Sequence, residues 1–134
     1  MVPTTAKPHR ILVVEDDPTN RALLQLAFKR GGLEIETAAN GAQAVEMWSR
    51  NRYDLIIMDV QMPVMDGIEA TLAIREQELA QGGHIPILAM TAHAYGADIE
   101  RCLRAGMDDY LSKPVDLGDT IEVVTKLLQS GSNT

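Results

Sequence analysis

Three four-residue runs in this chain are apolar without a break: Ile11–Val14 (ILVV), Leu55–Met58 (LIIM) and Ile87–Met90 (ILAM). A strand with one wet face alternates apolar and polar side chains, so unbroken runs of this length imply strands buried on both faces. Both faces are covered when helices pack on each side of the sheet. The segments between the runs are suited to that. Pro18–Arg30 opens on Asp17-Pro18 and closes on Gly31-Gly32, residues that favour a helix start and stop. Ala42–Arg50 follows Asn40-Gly41, and Glu69–Ala80, Gly96–Ala105 (ended by Gly106) and Gly118–Leu128 are the other helical stretches. Two weaker runs, Leu33–Ala38 and Tyr110–Leu111, bring the strands to five. The first of them, LEIETA, alternates as an edge strand would. The alternation of strand and helix predicts an α/β fold, a doubly wound parallel sheet joined by right-handed crossovers.

The bulk properties narrow the function. A chain of 134 residues suits one domain and can bury a real core. A net charge of −7 argues against direct nucleic acid binding, which wants a basic face. The single cysteine, Cys102, cannot close an internal disulfide and fits a cytoplasmic, reducing setting. No apolar run approaches the ~20 residues of a membrane span. Residues 1–9 (MVPTTAKPH) read as a flexible leader and residues 130–134 (SGSNT) as a flexible tail, with one folded domain over 10–129.

In a parallel sheet the carboxyl ends of the strands share one edge, and ligands bind there, beside the point where strand order reverses. Glu15, Asp16 and Asp17 follow the first run, Asp59 the third and Thr91 the fourth; Ser112, Lys113 and Pro114 follow the fifth. Singly, each has an ordinary explanation. Asp17 before Pro18 is an N-cap, Thr91 a turn hydroxyl, and Lys113 a solvated amine. Together they interlock. Clustered carboxylates resist ionising side by side, and a divalent cation relieves that conflict. Magnesium suits oxygen ligands and typically takes one or two carboxylates plus phosphate oxygens. Lysine and threonine then offer a charge and a hydrogen bond to a phosphoryl group. The constellation reads as a site where Asp59 attacks a phosphoryl donor.

Four segments carry a family resemblance: ILVVEDDPTN (Ile11–Asn20), LIIMDVQMPVMDG (Leu55–Gly67), ILAMTAHA (Ile87–Ala94) and AGMDDYLSKP (Ala105–Pro114). In this order and spacing they resemble response-regulator receiver domains of two-component signalling, most of all those of hybrid kinases and phosphorelays. The resemblance implies a flavodoxin-like sheet with strand order 2-1-3-4-5 and a Mg2+ cofactor. It implies Asp59 as phosphoacceptor, with the metal held by Glu15, Asp16, Asp59 and the backbone carbonyl of Gln61. Thr91 and Lys113 would contact the phosphoryl group, and Thr91 and Tyr110 would form the switch. Gln61 and His93 would tune dephosphorylation, and Lys113-Pro114 matches a peptide bond that is commonly cis in the family. The acidic pair is Glu-Asp where many members have Asp-Asp. The implied partner is a histidine kinase or a histidine phosphotransfer domain. The implied output is a changed surface over the fourth helix, fifth strand and fifth helix.

Rival readings are weaker. A phosphatase of the haloacid-dehalogenase type needs a second acid two residues beyond its nucleophile, where this chain has Gln61. A flavin binder of similar topology wants a phosphate-cradling loop after the first strand, where Glu15-Asp16-Asp17 would repel phosphate. A phosphorylation-independent pseudo-receiver usually lacks the phosphoacceptor, the acid pair or the lysine, and none is missing here. His9, His84 and His93 show no metal-ligand spacing, Cys102 has no partner that would make it a nucleophile, and Met62 and Met65 suit packing beneath the site. At 100° per residue along the first helix, Asn20, Leu24, Ala27 and Phe28 form a core stripe, while Ala22, Leu23 and Leu26 fall on the flank and far side. Leucines there make a candidate patch for partner docking.

Overall fold

The computed structural model describes residues 9–30, 32–60, 65–92, 96–113 and 116–131. Strands and helices alternate throughout: β1 Arg10–Val14, α1 Pro18–Arg30, β2 Glu34–Ala38, α2 Gly41–Arg50, β3 Leu55–Asp59, α3 Gly67–Gln81, β4 Ile87–Thr91, α4 Gly96–Ala105, β5 Asp109–Ser112 and α5 Leu117–Gly131. All strand pairs are parallel, and the sheet order is β2-β1-β3-β4-β5. This is the doubly wound, flavodoxin-like arrangement expected from the alternation and the resemblance. Among the described residues no helix is long and apolar enough to cross a membrane.

Successive side chains of a strand leave opposite faces of the sheet, and the core divides accordingly. Leu12, Val14, Ile56, Met58, Ile87 and Ala89 pack against Ala44 of α2, Ala70 and Ile74 of α3 and Cys102 of α4. Ile11, Val13, Leu55, Ile57, Leu88 and Met90 meet Leu24 and Phe28 of α1 and Val124 and Leu128 of α5. The three unbroken apolar runs are thus strands with a helical layer on each side, and each fully buried Leu or Ile contributes about 1.5–3 kcal/mol.

Boundaries move for local reasons. The N–H of Leu33 is taken by the carbonyl of Phe28 and that of Gly32 by Lys29, closing α1 in a Schellman turn, so β2 starts at Glu34. The third helix starts at Gly67, two residues before the expected Glu69. Asp66 and Glu69 form a reciprocal capping box, with the Asp66 carboxylate accepting the Glu69 N–H at 2.9 Å. Both β3 and β4 extend one residue beyond their apolar runs, so Asp59 and Thr91 are strand residues pairing with Met90 and Ser112. With β1 between β2 and β3, the sheet reverses direction of growth at the carboxyl ends of β1 and β3, where Glu15 and Asp59 sit.

Candidate functional site

Carboxylate oxygens of Glu15, Asp16 and Asp59 all lie within 4.8 Å of one another. Asp59 is 1 % exposed and Glu15 is equally buried, while Asp16 is open to solvent. Lys113 reaches across from the end of β5, its Nζ 2.9 Å from Asp59 Oδ2 and 3.3 Å from Glu15 Oε1. Partial burial alone would lower the Lys113 pKa. The hydrogen bond and charge of Asp59, then of Glu15, outweigh burial and hold it above the usual lysine value, so the ammonium stays charged. Buried Thr91 stands at the end of β4, and its carbonyl accepts the Lys113 N–H at 2.8 Å, tying the two strand ends together.

Glu15 is restrained at every polar group. Its N–H donates to the Ala38 carbonyl at 3.0 Å, prolonging the β1–β2 ladder. Its Oε2 accepts the Asp17 N–H at 3.2 Å, its Oε1 faces Lys113, and its carbonyl accepts from Arg21 Nη1 at 2.8 Å. Asp17 does not belong to that cluster. Its Oδ1 accepts the Thr19 N–H at 3.0 Å, which satisfies a first-turn donor of α1.

Two glycines let the β3–α3 loop approach. A Cβ at Gly67 would lie 2.3 Å from the carbonyl oxygen of Asp59, and one at Gly41 would lie 2.5 Å from that of Met65. The Gly41 N–H donates to that same Met65 carbonyl at 3.0 Å. Met65 also packs on the core cluster under the α2–α3 layer, the packing expected of it. Neither glycine nor Arg21 stood out in the sequence as a site residue. Asn40-Gly41 and Asp66-Gly67 carried a turn signal, whereas a guanidinium on a backbone carbonyl leaves no pattern to read.

Tyr110 on β5 is 39 % exposed, its ring at the surface. Cys102 is buried in the core, where burial pushes its thiol above the usual value and leaves little thiolate. Gln61, Met62, His93 and Pro114, each given a role from the sequence, lie outside the described residues. On α1, Leu24 and Phe28 are buried, while Ala22, Leu23 and Leu26 are exposed, as the helical wheel separates them.

The donor set is all carboxylate oxygen, the chemistry of a hard divalent cation such as Mg2+, and the cluster could hold a metal. A family profile described as the response regulator receiver domain matches residues 11–125. Hybrid signal transduction histidine kinase I of Dictyostelium discoideum is 44% identical over 122 residues, 87% of this chain and 7% of that protein. Sensor protein GacS of Pseudomonas syringae pv. syringae is 40% identical over 125 residues, 92% of this chain and 14% of that protein. The chain therefore spans only a small part of these relatives. Among solved structures, the receiver domain of the Pseudomonas aeruginosa PAO1 sensor histidine kinase PA1611, with magnesium coordinated in its active site cleft, superposes with a TM-score of 0.82 at 39% identity, covering 91% of this chain and 98% of that one. The Saccharomyces cerevisiae co-crystal of the histidine phosphotransfer protein Ypd1 and the receiver domain of Ssk1 gives 0.87 at 33% identity, covering 90% and 89%.

Proposed function

Because this chain belongs to the response regulator receiver domain family, and to the kind found in hybrid kinases and phosphorelays, we propose that it is a phosphoacceptor switch in which Asp59 takes a phosphoryl group from a phosphohistidine donor. The supporting observation is the convergence of buried Asp59 with Lys113, Glu15 and Asp16 at one edge of the sheet. An Asp59 carboxylate oxygen forms a bond to phosphorus as the phosphorus–nitrogen bond breaks, and the histidine nitrogen keeps the electron pair. Glu15, Asp16, Asp59 and the Gln61 carbonyl would hold Mg2+, which when bound supplies positive charge against the phosphoryl oxygens. Lys113, already beside Asp59, pairs with one of the new oxygens. Such transfer needs little from protein beyond positioning and charge. The domain is thus a substrate of its own chemistry and catalyses only its own phosphorylation and dephosphorylation, with Gln61 and His93 tuning the latter.

Phosphorylation turns one negative charge on Asp59 into a dianionic acyl phosphate. The Thr91 hydroxyl moves toward the new oxygens, Tyr110 turns inward, and the α4–β5–α5 surface changes. Moving such an equilibrium from 1:99 to 99:1 takes ~5.5 kcal/mol, within reach of a few charge-assisted hydrogen bonds of ~1.5–3 kcal/mol each. The decisive experiment is intact-mass analysis after incubation with a small acyl-phosphate donor, with Mg2+ and with a chelator. One added phosphoryl mass, present only with Mg2+, is the expected result. No added mass, or equal labelling under chelation, overturns the reading.

The partner is a helical bundle carrying the donor histidine, in a kinase or a phosphotransfer domain. Leu23 is 50 % and Leu26 54 % exposed on α1, the helix that follows the acidic end of β1. Scattered exposed leucines are common, but apolar packing here would orient the histidine for in-line attack. Replacing Leu23 and Leu26 together with Ser is expected to slow transfer from a cognate histidine partner at least tenfold, roughly 1.4 kcal/mol. Labelling by a small acyl phosphate should not change, since that donor needs no docking face. A loss in both reactions assigns the leucines to the fold, and a loss in neither removes the patch from the interface.

A further inference from the structure

We propose that Arg21 is a positioning residue for the acidic pocket, one that aims Asp16 by fastening the peptide plane before it. This rests on the reading of Glu15, Asp16 and Asp59 as a Mg2+ site. The carbonyl of Glu15 and the N–H of Asp16 belong to one rigid peptide unit. Arg21 Nη1 donates to that carbonyl at 2.8 Å, from the first turns of α1 across to the end of β1. The Glu15 N–H is held by Ala38 at 3.0 Å on the other side. Past Asp16, the Asp17 N–H returns to Glu15 Oε2 at 3.2 Å and the Asp17 carboxylate is engaged by Thr19. Asp16 is exposed, and it stands between two fastened residues, so the backbone sets where its side chain leaves the chain and which rotamers reach the pocket. Arg21 supplies the cationic side chain of this arrangement. Its backbone N–H bonds the Asp17 carbonyl at 3.0 Å, the opening turn of α1, which seats the residue beside the loop its side chain reaches.

The guanidinium has two opposing influences on a cation in the pocket. Its charge repels the metal, so losing the charge should tighten binding. Its hydrogen bond holds a ligand-bearing loop in place, so losing the bond should weaken binding. Partners standing behind metal ligands typically change affinity 10–100-fold when removed. A screened charge one residue further out matters less. The positioning effect therefore dominates, and the two influences give opposite signs.

Mg2+ affinity of the unphosphorylated chain, measured by isothermal titration calorimetry, separates them. Arg21→Met should weaken binding about tenfold, and Arg21→Lys, which keeps a donor for the Glu15 carbonyl, should recover most of that. Tighter binding in Arg21→Met would make the residue a simple repelling charge and overturn the proposal. Unchanged affinity with a lowered Tm would overturn it too, leaving Arg21 a fold residue. Failure of the unsubstituted chain to bind Mg2+ would instead overturn the underlying metal site.

Discussion

Asp59→Asn is expected to incorporate no phosphoryl group from an acyl-phosphate donor, where the unsubstituted chain takes up one. An amide has no anionic oxygen to attack phosphorus and cannot form an acyl phosphate, so the effect is loss rather than slowing. The fold should survive. Lys113 keeps Glu15 at 3.3 Å as a counter-charge, and the cluster within 4.8 Å loses one of its like charges. Circular dichroism and Tm close to those of the unsubstituted chain would show that the loss is chemical. Equal labelling of the variant would place the acceptor elsewhere, Asp16 being the next carboxylate in the pocket.

The ILVV, LIIM and ILAM runs carried most of the fold because burial on two faces leaves no freedom in what a strand can hold. The split of Leu12 and Val14 from Ile11 and Val13 between two helical layers follows directly from them. The ends were harder. β5 extends to Asp109 and Ser112, polar residues at a sheet edge whose hydrogen bonds require no apolar side chain. The third helix, expected from Glu69, begins at Gly67 behind the Asp66–Glu69 capping box, at a position where only a residue without a Cβ fits against the Asp59 carbonyl. The convergence of Glu15, Asp16, Asp59 and Lys113 was legible because a parallel sheet gathers its strand ends on one edge. What the sequence hides are side-chain bonds to backbone carbonyls. Arg21 to Glu15 is one, and Arg75 to Gly106, which spans 31 positions, is another. Such bonds depend on where two loops meet in space, and no local periodicity records them.

The second large effect follows from Arg75. Its Nε and Nη2 donate to the Gly106 carbonyl at 2.9 and 2.7 Å, its Nη2 to Asp108 at 3.0 Å and its Nη1 to Glu78 at 2.6 Å. Asp108 Oδ2 also accepts the Ile87 N–H at 2.8 Å, and Glu78 Oε2 accepts that of Ile85 at 2.7 Å. One guanidinium thus joins α3, the end of α4 and the start of β4, at the opposite end of the sheet from Asp59. Gly106, at φ +109°, turns the chain out of α4, and a Cβ there would lie 2.9 Å from the Arg75 side chain. The Arg75 side chain is 15 % and that of Glu78 8 % exposed, so the pair is largely shielded from water. Breaking a buried pair by removing one partner costs about 3–5 kcal/mol, and the partial solvation of Asp108 favours the lower end. Arg75→Ala should therefore destabilise the fold by about 3 kcal/mol, lowering Tm by roughly 10 °C. Most of that penalty is Glu78 left charged and buried. Arg75→Met with Glu78→Gln should then recover more than half of it, because the glutamine oxygen still accepts the Ile85 N–H and no buried carboxylate remains at position 78, while the partly solvated Asp108 keeps His84 at 2.7 Å. Below the melting transition, labelling of Asp59 by an acyl phosphate should match that of the unsubstituted chain. A loss under about 1 kcal/mol in Arg75→Ala would mean the network behaves as a surface ion pair, and a double variant no better than the single would mean the guanidinium's bonds to Gly106 carry the stability instead.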